Sequence, residues 1–334
     1  MYKDKSKRIA LIAPIFFGYY KDIIEEANSM GFQVDYFCDT PSNSNISKAI
    51  GRINKKFLLN DAKKYFEKSI LPLFKKTNYQ FVLLVAGMTF AYSPQMINQI
   101  KQIQKGAKFV MYQWDSEKNL PYSIYIHQFF DSIFTFDRFD AIRDSKYLFL
   151  PLFYTRKYEE LGKKNSENIE YDCMYVGTAH PKKYYEINQM SEILRKVYKR
   201  QFIYHYMPSY LKYIYHKIFA KEYKNAKWSD FETKKLSVDE ITYILAKSRC
   251  VLDAPQGGQV GLTIRTFECL ASNKKMITTN SDVVNYDFYD PQNILLFSEN
   301  IDFASPFFTE KYRMLPAEIY EKYSLYNWLS ILLS

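Results

Sequence analysis

Short, nearly continuous apolar runs alternate along this chain with stretches of helical spacing. The first, RIALIAP at Arg8–Pro14, reads as a strand ending at a turn that contains Gly18. Tyr20–Met30 has a helical pattern stopped by Gly31, Phe32–Cys38 is a second strand, and Asp39–Ser47 is polar. An amphipathic helix is expected over Asn60–Phe74 and a strand over Gln80–Ala86. A helix over Ser93–Gln104 has Ser93 as its N-cap and Pro94 as its first residue. Strands follow at Lys108–Trp114, Ser132–Phe136 and Tyr147–Leu150, the last before Pro151. Strands that are apolar throughout, rather than alternating, are buried on both faces, which predicts a parallel sheet covered by helices on each side.

LGKKNSENIE, Leu161–Glu170, is a polar break and the expected linker. Beyond it the pattern restarts. Tyr171–Val176 is a strand ending in Gly177-Thr178, Lys183–Tyr198 is helical, and Phe202–Tyr206 is a strand. Ser237–Lys247 is a helix with a capping box from Ser237 to Glu240, followed by the strand Arg249–Asp253. Lys275–Thr279 and Ile294–Phe297 are the last strands, and Pro316–Leu332 is an amphipathic helix. The expected fold class is α/β, with two doubly wound, Rossmann-like domains and a cleft between them. Ligands of such sheets bind at the carboxyl ends of strands. In the second half those ends are Gly177–His180, Tyr206–Pro208, Asp253–Gly261 and Thr279–Asp282.

Composition narrows the class. A chain of 334 residues, 47% hydrophobic and 25% charged, is globular and long enough for two cores. Cys38, Cys173, Cys250 and Cys269 are scattered, with no C-x-x-C pair and no His/Cys cluster, so no structural zinc is expected. Cys173, Cys250 and Cys269 sit in apolar runs and read as buried free thiols. Met1–Arg8 is charged and the apolar run behind it ends by Phe17, which does not form a secretory leader. The apolar run Phe81–Tyr92 is too short to span a membrane, so a cytoplasmic protein is expected. The net charge of +10 fits a solvated lysine-rich surface, an anionic membrane face or phosphorylated substrates. No zinc finger, RNA-recognition signature or compact arginine run points to nucleic acid.

The stretch richest in chemistry is QGGQVGLTIRTFECLASNKKMITTN, Gln256–Asn280, a glycine-rich loop leading into a helix and then a strand. Gly257, Gly258 and Gly261 let the backbone bend sharply and approach a ligand closely. Thr263 or Thr266 is suited to cap the helix, whose free N–H groups and partial positive charge suit a phosphate. Arg265 adds a bidentate clamp for that phosphate, and Glu268, three residues on, an acceptor for a ribose diol. The plainer alternative is a surface turn followed by an exposed Arg265–Glu268 ion pair.

Two doubly wound halves, a D-x-x-x-V-G-T strand and turn at Asp172–Thr178, and GLTIRTFECLASNKKMITTN together resemble the GT-B glycosyltransferases. The resemblance is to bacterial enzymes of capsule, lipopolysaccharide and exopolysaccharide assembly and to the CgeB-like glycosyltransferases, and it is best over Tyr171–Asn300. It implies residues 1–155 as an acceptor-binding domain, 170–312 as a nucleotide-sugar-binding domain, and 313–334 as a helix crossing back to the first. It further implies that Glu268 binds the donor ribose and that Gly257, Gly258, Gln259 and Gly261 line the diphosphate and sugar. Arg265 neutralises a phosphate or holds Glu268, and Gly177 and Thr178 form the turn at the domain mouth. No cofactor is implied: the nucleotide-diphosphate sugar is the donor substrate, and side chains and helix termini take the place of a metal. Gly261 stands where many retaining members carry a second glutamate, so the E-x7-E pattern is missing.

Glycosyl transfer also needs an acceptor hydroxyl in line and, for inversion, a base. Asp115 follows the strand Lys108–Trp114 and is the first candidate, with Trp114 beside it as a sugar platform; its alternative role is to cap Ser116–Asn119. Asp137, after Ser132–Phe136, is the second, with the same alternative. His180 reads either as a donor to phosphate or sugar or as a turn residue, and Lys182 and Lys183 as solvated residues or phosphate contacts. Tyr198–Trp228 interleaves aromatic and basic residues, as either a membrane-surface patch near a lipid-linked or oligosaccharide acceptor or a helix with an aromatic core side. The function expected is a metal-independent glycosyltransferase acting on a surface glycan. The alternatives are a nucleotide-sugar 2-epimerase of the same fold and a non-catalytic scaffold that binds nucleotide sugar.

Overall fold

The computed structural model describes residues 7–15, 18–39, 59–86, 92–120, 122–164, 168–255 and 260–334. The chain divides into two compact units, 1–151 with 325–334, and 152–324.

In the first unit β1 (Arg8–Ala13), β2 (Gln33–Cys38), β3 (Phe81–Ala86), β4 (Lys108–Gln113), β5 (Ser132–Thr135) and β6 (Tyr147–Phe149) form one parallel sheet in the order β2-β1-β3-β4-β5-β6. Ile9 pairs with Val34 on one side and Phe81 on the other, so the central strands are hydrogen-bonded along both edges. Helices cover both faces of this sheet, and the strand side chains are apolar on both: Ala10, Leu11, Ile12, Leu83 and Leu84 are all buried. Around the sheet lie α1 (Tyr19–Ser29), α2 (Leu59–Tyr65), α3 (Leu71–Lys76), α4 (Pro94–Ile103) and α5 (Arg138–Arg143). Ser93 caps α4 as expected, its hydroxyl accepting from the Met96 N–H at 3.3 Å. The single helix expected over Asn60–Phe74 instead runs on to Lys76, with a π turn at Phe66–Ile70 between α2 and α3. Most of the polar stretch Asp39–Ser47 lies outside the described residues.

The second unit opens with α6 (Arg156–Lys163), which takes up the beginning of the polar break Leu161–Glu170. Its sheet holds β7 (Tyr171–Thr178), β8 (Gln201–Tyr206), β9 (Ser248–Asp253), β10 (Lys275–Thr278) and β11 (Ile294–Leu296), all parallel, in the order β11-β10-β9-β7-β8. Helices α7 (Pro181–Leu194), α8 (Tyr210–Phe219), α9 (Val238–Ala246) and α10 (Ile264–Ala271) connect the strands. The capping box of α9 is present in both directions: Ser237 Oγ accepts from the Glu240 N–H at 3.1 Å, and Glu240 Oε2 from the Ser237 N–H at 2.7 Å. Cys173, Tyr175, Ile187, Met190, Leu252, Ile277 and Phe307 form the core, and Tyr184, Met207, Tyr213, Tyr223 and Phe231 a second, aromatic one. Cys173, Cys250 and Cys269 are free thiols buried in the fold, as their apolar surroundings predict.

The tail is not one helix. It breaks into α11 (Ala317–Lys322) and α12 (Leu325–Leu332), because Ser324 between them pairs with Tyr154 as a short parallel bridge. Helix α12 packs in the first unit, where the buried Trp328 meets Tyr112 edge-on at 4.7 Å.

Two histidines are held neutral in these interiors. Burial pushes His127 down to about 4, with Lys146 adding to the effect, and burial does the same to His205. A base that titrates lower folded than unfolded stabilises the fold fully above its unfolded value, near 6.5, and loses that contribution as pH falls through the folded one. Each shift corresponds to about 3 kcal/mol. The melting temperature is therefore expected to fall between pH 6.5 and 4. His127→Phe, at a ring whose two nitrogens have no hydrogen-bond partner among the described residues, should flatten that fall, measured by calorimetry across the window.

Candidate functional site

The strand order of the second unit reverses between β7 and β9, and the crevice at the carboxyl ends of those two strands is where such sheets bind ligands. Four elements bring side chains there.

Strand β9 ends in Asp253, which is buried. Its Oδ2 accepts from the Thr263 hydroxyl at 2.9 Å. Thr263 occupies the N-cap position of α10, but its hydroxyl makes no cap bond, so the cap expected from Thr263 is not formed and the hydroxyl anchors Asp253 instead. On the other side of the carboxylate stands Lys183, in the first turn of α7, with Nζ 4.0 Å from Asp253 Oδ1. The Lys183 side chain is only 17% exposed, and its Nζ makes no hydrogen bond to a described residue. Burial pushes its ammonium below the usual lysine range, Asp253 acts against this, and the Arg265 charge reinforces it. The solvated role weighed for Lys183 is thus corrected. Its sequence neighbour Lys182 is the exposed one, 3.4 Å from Glu186.

Strand β7 contributes Tyr175 and Gly177, which share a face two residues apart. A Cβ on Gly177 would collide with the Tyr175 hydroxyl, so only glycine lets this ring lie along the strand toward the crevice. The Tyr175 hydroxyl is buried with no hydrogen-bond partner among the described residues, and burial, with the Asp253 charge, raises its pKa. Thr178 and His180 follow at the strand end. The His180 N–H donates to the Thr178 carbonyl at 2.9 Å, and His180 takes the N-cap position of α7 without a side-chain cap bond.

Helix α10 carries Arg265 and Glu268. Arg265 Nη1 lies 2.7 Å from Glu268 Oε2, with side chains 16% and 2% exposed, so the pair is an interior one rather than an exposed ion pair. Tyr158 of α6 faces it: burial, then the Glu268 charge, raises the phenol pKa while Arg265 opposes. The helices meet closely because a Cβ on Gly162 would strike the Ala271 carbonyl. Asn280, after β10, donates to the carbonyls of Val260 at 2.9 Å and Gly261 at 3.4 Å, holding the end of the glycine-rich loop. Gly257, Gly258 and Gln259 lie outside the described residues.

In the first unit, Asp115 and Asp137 both engage neighbouring backbone. Asp115 Oδ1 accepts from the Ser116 N–H at 2.9 Å and Asn119 Nδ2 at 2.8 Å, while its Oδ2 has no hydrogen bond among the described residues. Burial raises the Asp115 pKa, those two hydrogen bonds oppose it, and the charge of Asp137 adds to it. Asp137 is buried as the N-cap of α5, with Oδ1 accepting from the Phe139 N–H at 2.9 Å and the Asp140 N–H at 3.4 Å. Trp114 packs its ring against Tyr19 and Tyr112.

A separate cavity of about 770 Å³ opens at the amino ends of β9 and β10, lined by Arg249, Lys274 and Tyr312 among others. There Lys274 Nζ donates to the Ala246 and Ser248 carbonyls at 3.0 and 2.7 Å. It is at the wrong end of a parallel sheet for a switch-point ligand.

Sequence reading weighed Lys183 as a phosphate contact and placed Asp253 at a ligand-binding strand end, but it did not pair the two and it missed Tyr175. The signal for Lys183 was present, since a lysine one turn after a strand–Gly–Thr turn falls at a helix start. What the sequence does not display is that the Lys183 side of this helix turn is enclosed while Lys182 is exposed.

Removing one partner of a buried ion pair strands the other charge. Glu268→Ala should therefore lower stability by about 3 kcal/mol, and Glu268→Gln by less, in chemical denaturation without any ligand.

No known family matches the chain, and no curated protein matches it in sequence. Among solved structures it is similar to the lipopolysaccharide outer core galactosyltransferase WaaB in its apo form. The TM-score is 0.51 at 11% identity, covering 98% of this chain and 99% of that one. It also aligns with HepE of Anabaena in complex with UDP and glucose, at TM-score 0.46 and 10% identity over 82% of this chain and 80% of that one. The UDP-GlcNAc 2-epimerase of Neisseria meningitidis bound to UDP-GlcNAc aligns at TM-score 0.46 and 11% identity, covering 81% of each chain. The two parallel sheets, their strand orders and the full-length likeness to WaaB give this chain the GT-B fold, built of two Rossmann-like domains.

Proposed function

We propose that this protein is a glycosyltransferase that binds a nucleoside-diphosphate sugar at the β7/β9 crevice. It moves the sugar to a hydroxyl of a lipid-linked or oligosaccharide acceptor in surface-glycan assembly. The observation that carries the reading is the pairing of Lys183 with Asp253. An ammonium is kept largely out of water at a switch point, with one carboxylate 4.0 Å away and no hydrogen bond among the described residues. Such a group has unspent donors and gains most from a multiply charged anion.

In the proposed step the bond between the anomeric carbon and the β-phosphate oxygen breaks, and its electron pair goes to that oxygen. Lys183 and Arg265 offset the charge that develops on the leaving diphosphate, with the start of α10 adding its dipole. Glu268, oriented by Arg265, accepts the ribose hydroxyls. Gly177, Thr178, His180 and the loop Gly257, Gly258, Gln259 and Gly261 border the diphosphate and sugar. The acceptor oxygen forms the new bond to the anomeric carbon, and its proton passes to Asp115. Support for Asp115 as the base is that its Oδ2 makes no hydrogen bond to a described residue and its pKa is raised, both of which favour proton acceptance. No metal or other cofactor enters the step, and nucleic acid is not a partner.

A thermal-shift panel of UDP, GDP, CDP, dTDP and their common sugars tests the donor site. A ligand at about a hundred times its Kd should stabilise the fold by roughly 2.7 kcal/mol. One nucleotide is expected to shift the wild type and to shift Lys183→Met far less; equal shifts in both would remove Lys183 from the site. Asp115→Asn should keep the donor shift and lower turnover by roughly a hundredfold or more, measured as sugar transfer to an acceptor panel. Donor isomerised without any acceptor would indicate an epimerase, and binding without turnover a scaffold.

A further inference from the structure

Helix α8 turns the wrong face to solvent. Its inner side packs Tyr213 into the aromatic cluster with Tyr184, Tyr223 and Phe231. Its outer side carries Leu211, Tyr215, Ile218 and Phe219, spaced i, i+4, i+7 and i+8, which is one continuous stripe on a helix. Leu211 is 81% exposed, Ile218 67% and Phe219 72%. Exposed apolar residues are ordinary when scattered, but a full helical stripe of them marks a contact surface.

The polar groups around the stripe identify what it meets. Lys221, Lys224 and Lys227 are exposed just past the end of α8, and Lys212 is half-buried on the helix itself. The nearby carboxylates, Glu222 and Asp230, are two against these four lysines, so the segment keeps a net positive charge. An apolar stripe bordered by lysines is the pattern of a helix lying in the interface of an anionic bilayer, with its apolar side chains among the acyl chains and its ammonium groups at the phosphates. The net charge of +10 acts in the same direction.

We propose that α8 and the segment 221–227 form a docking surface for an anionic lipid bilayer. This goes beyond the transferase reading and stands without it. The surface is firmly attached. Lys217 Nζ donates to the carbonyls of Lys224 and Ala226 at 2.8 and 2.7 Å, and the Tyr213 hydroxyl donates to the Ala226 carbonyl at 3.1 Å. The Tyr223 hydroxyl donates to the Ala179 carbonyl at 3.0 Å, and Ala179 lies between Thr178 and His180 at the crevice. A bilayer under α8 would therefore lie at the same end of the sheet as the candidate donor site. That position suits an acceptor that remains in the membrane.

The test is sedimentation of the full chain with vesicles of phosphatidylcholine alone and of phosphatidylcholine with phosphatidylglycerol. The wild type is expected to bind the anionic vesicles and to release them as salt is raised. Leu211→Ser with Phe219→Ser should weaken that binding by roughly tenfold or more at an unchanged melting temperature, since both side chains are exposed. Lys221→Gln, Lys224→Gln and Lys227→Gln together should abolish the preference for the anionic lipid. Absence of wild-type binding, equal binding to neutral vesicles, or retention of full binding by the Ser variant would each overturn the proposal. So would a wild-type dimer that the Ser variant converts to monomer, because a second copy would then be what covers the stripe.

Discussion

The site of the second unit is arranged around an ammonium held away from water. At 4.0 Å, Lys183 and Asp253 attract each other by about 4 kcal/mol at the effective dielectric of a protein near its surface. Drawing each charge out of water costs a comparable amount, so the two costs together exceed the attraction. The lowered proton affinity of Lys183 expresses that shortfall. The neighbouring structure holds both groups in place. Thr263 gives up its cap bond to fix Asp253, and Tyr175 lies along β7 over a residue that has no Cβ to obstruct it.

A second buried pair, Arg265 with Glu268, is attached to the first through α10. Its partners come from far along the chain. Tyr158 on α6 faces the pair, and α6 is drawn against α10 at Gly162, whose carbonyl also accepts from Asn273 Nδ2 at 3.2 Å. A change in the charge near Arg265 is thus felt by Lys183, by Glu268 and by a phenol on a neighbouring helix. Buried polar groups coupled this closely are not additive, so single substitutions among them report on the network rather than on one contact.

The exposed stripe of α8 belongs to the same end of the sheet through the Tyr223–Ala179 bond. That bond ties the proposed docking helix to the turn after β7, and the ring contacts of Tyr184, Tyr213, Tyr223 and Phe231 pack its inner side.

The fold was legible because its causes are local. Strands covered on both faces must be apolar throughout, and the runs RIALIA and FVLLVA show this within a few residues each. The caps at Ser93 and Ser237 depend on residues within one turn, and both form as their spacing predicts. The helix that carries Arg265 and Glu268 was legible for the same reason. The sequence could not show that the Arg265–Glu268 pair is interior, that Thr263 turns from its helix to Asp253, or that Lys183 is enclosed while Lys182 is open. Nor could it show which side of the aromatic run Tyr198–Trp228 faces water. Each of these depends on how much water is left around a group once distant segments have packed. Periodicity records which face of an element is apolar, but only tertiary packing decides what stands opposite that face and therefore what a buried charge must find as its partner.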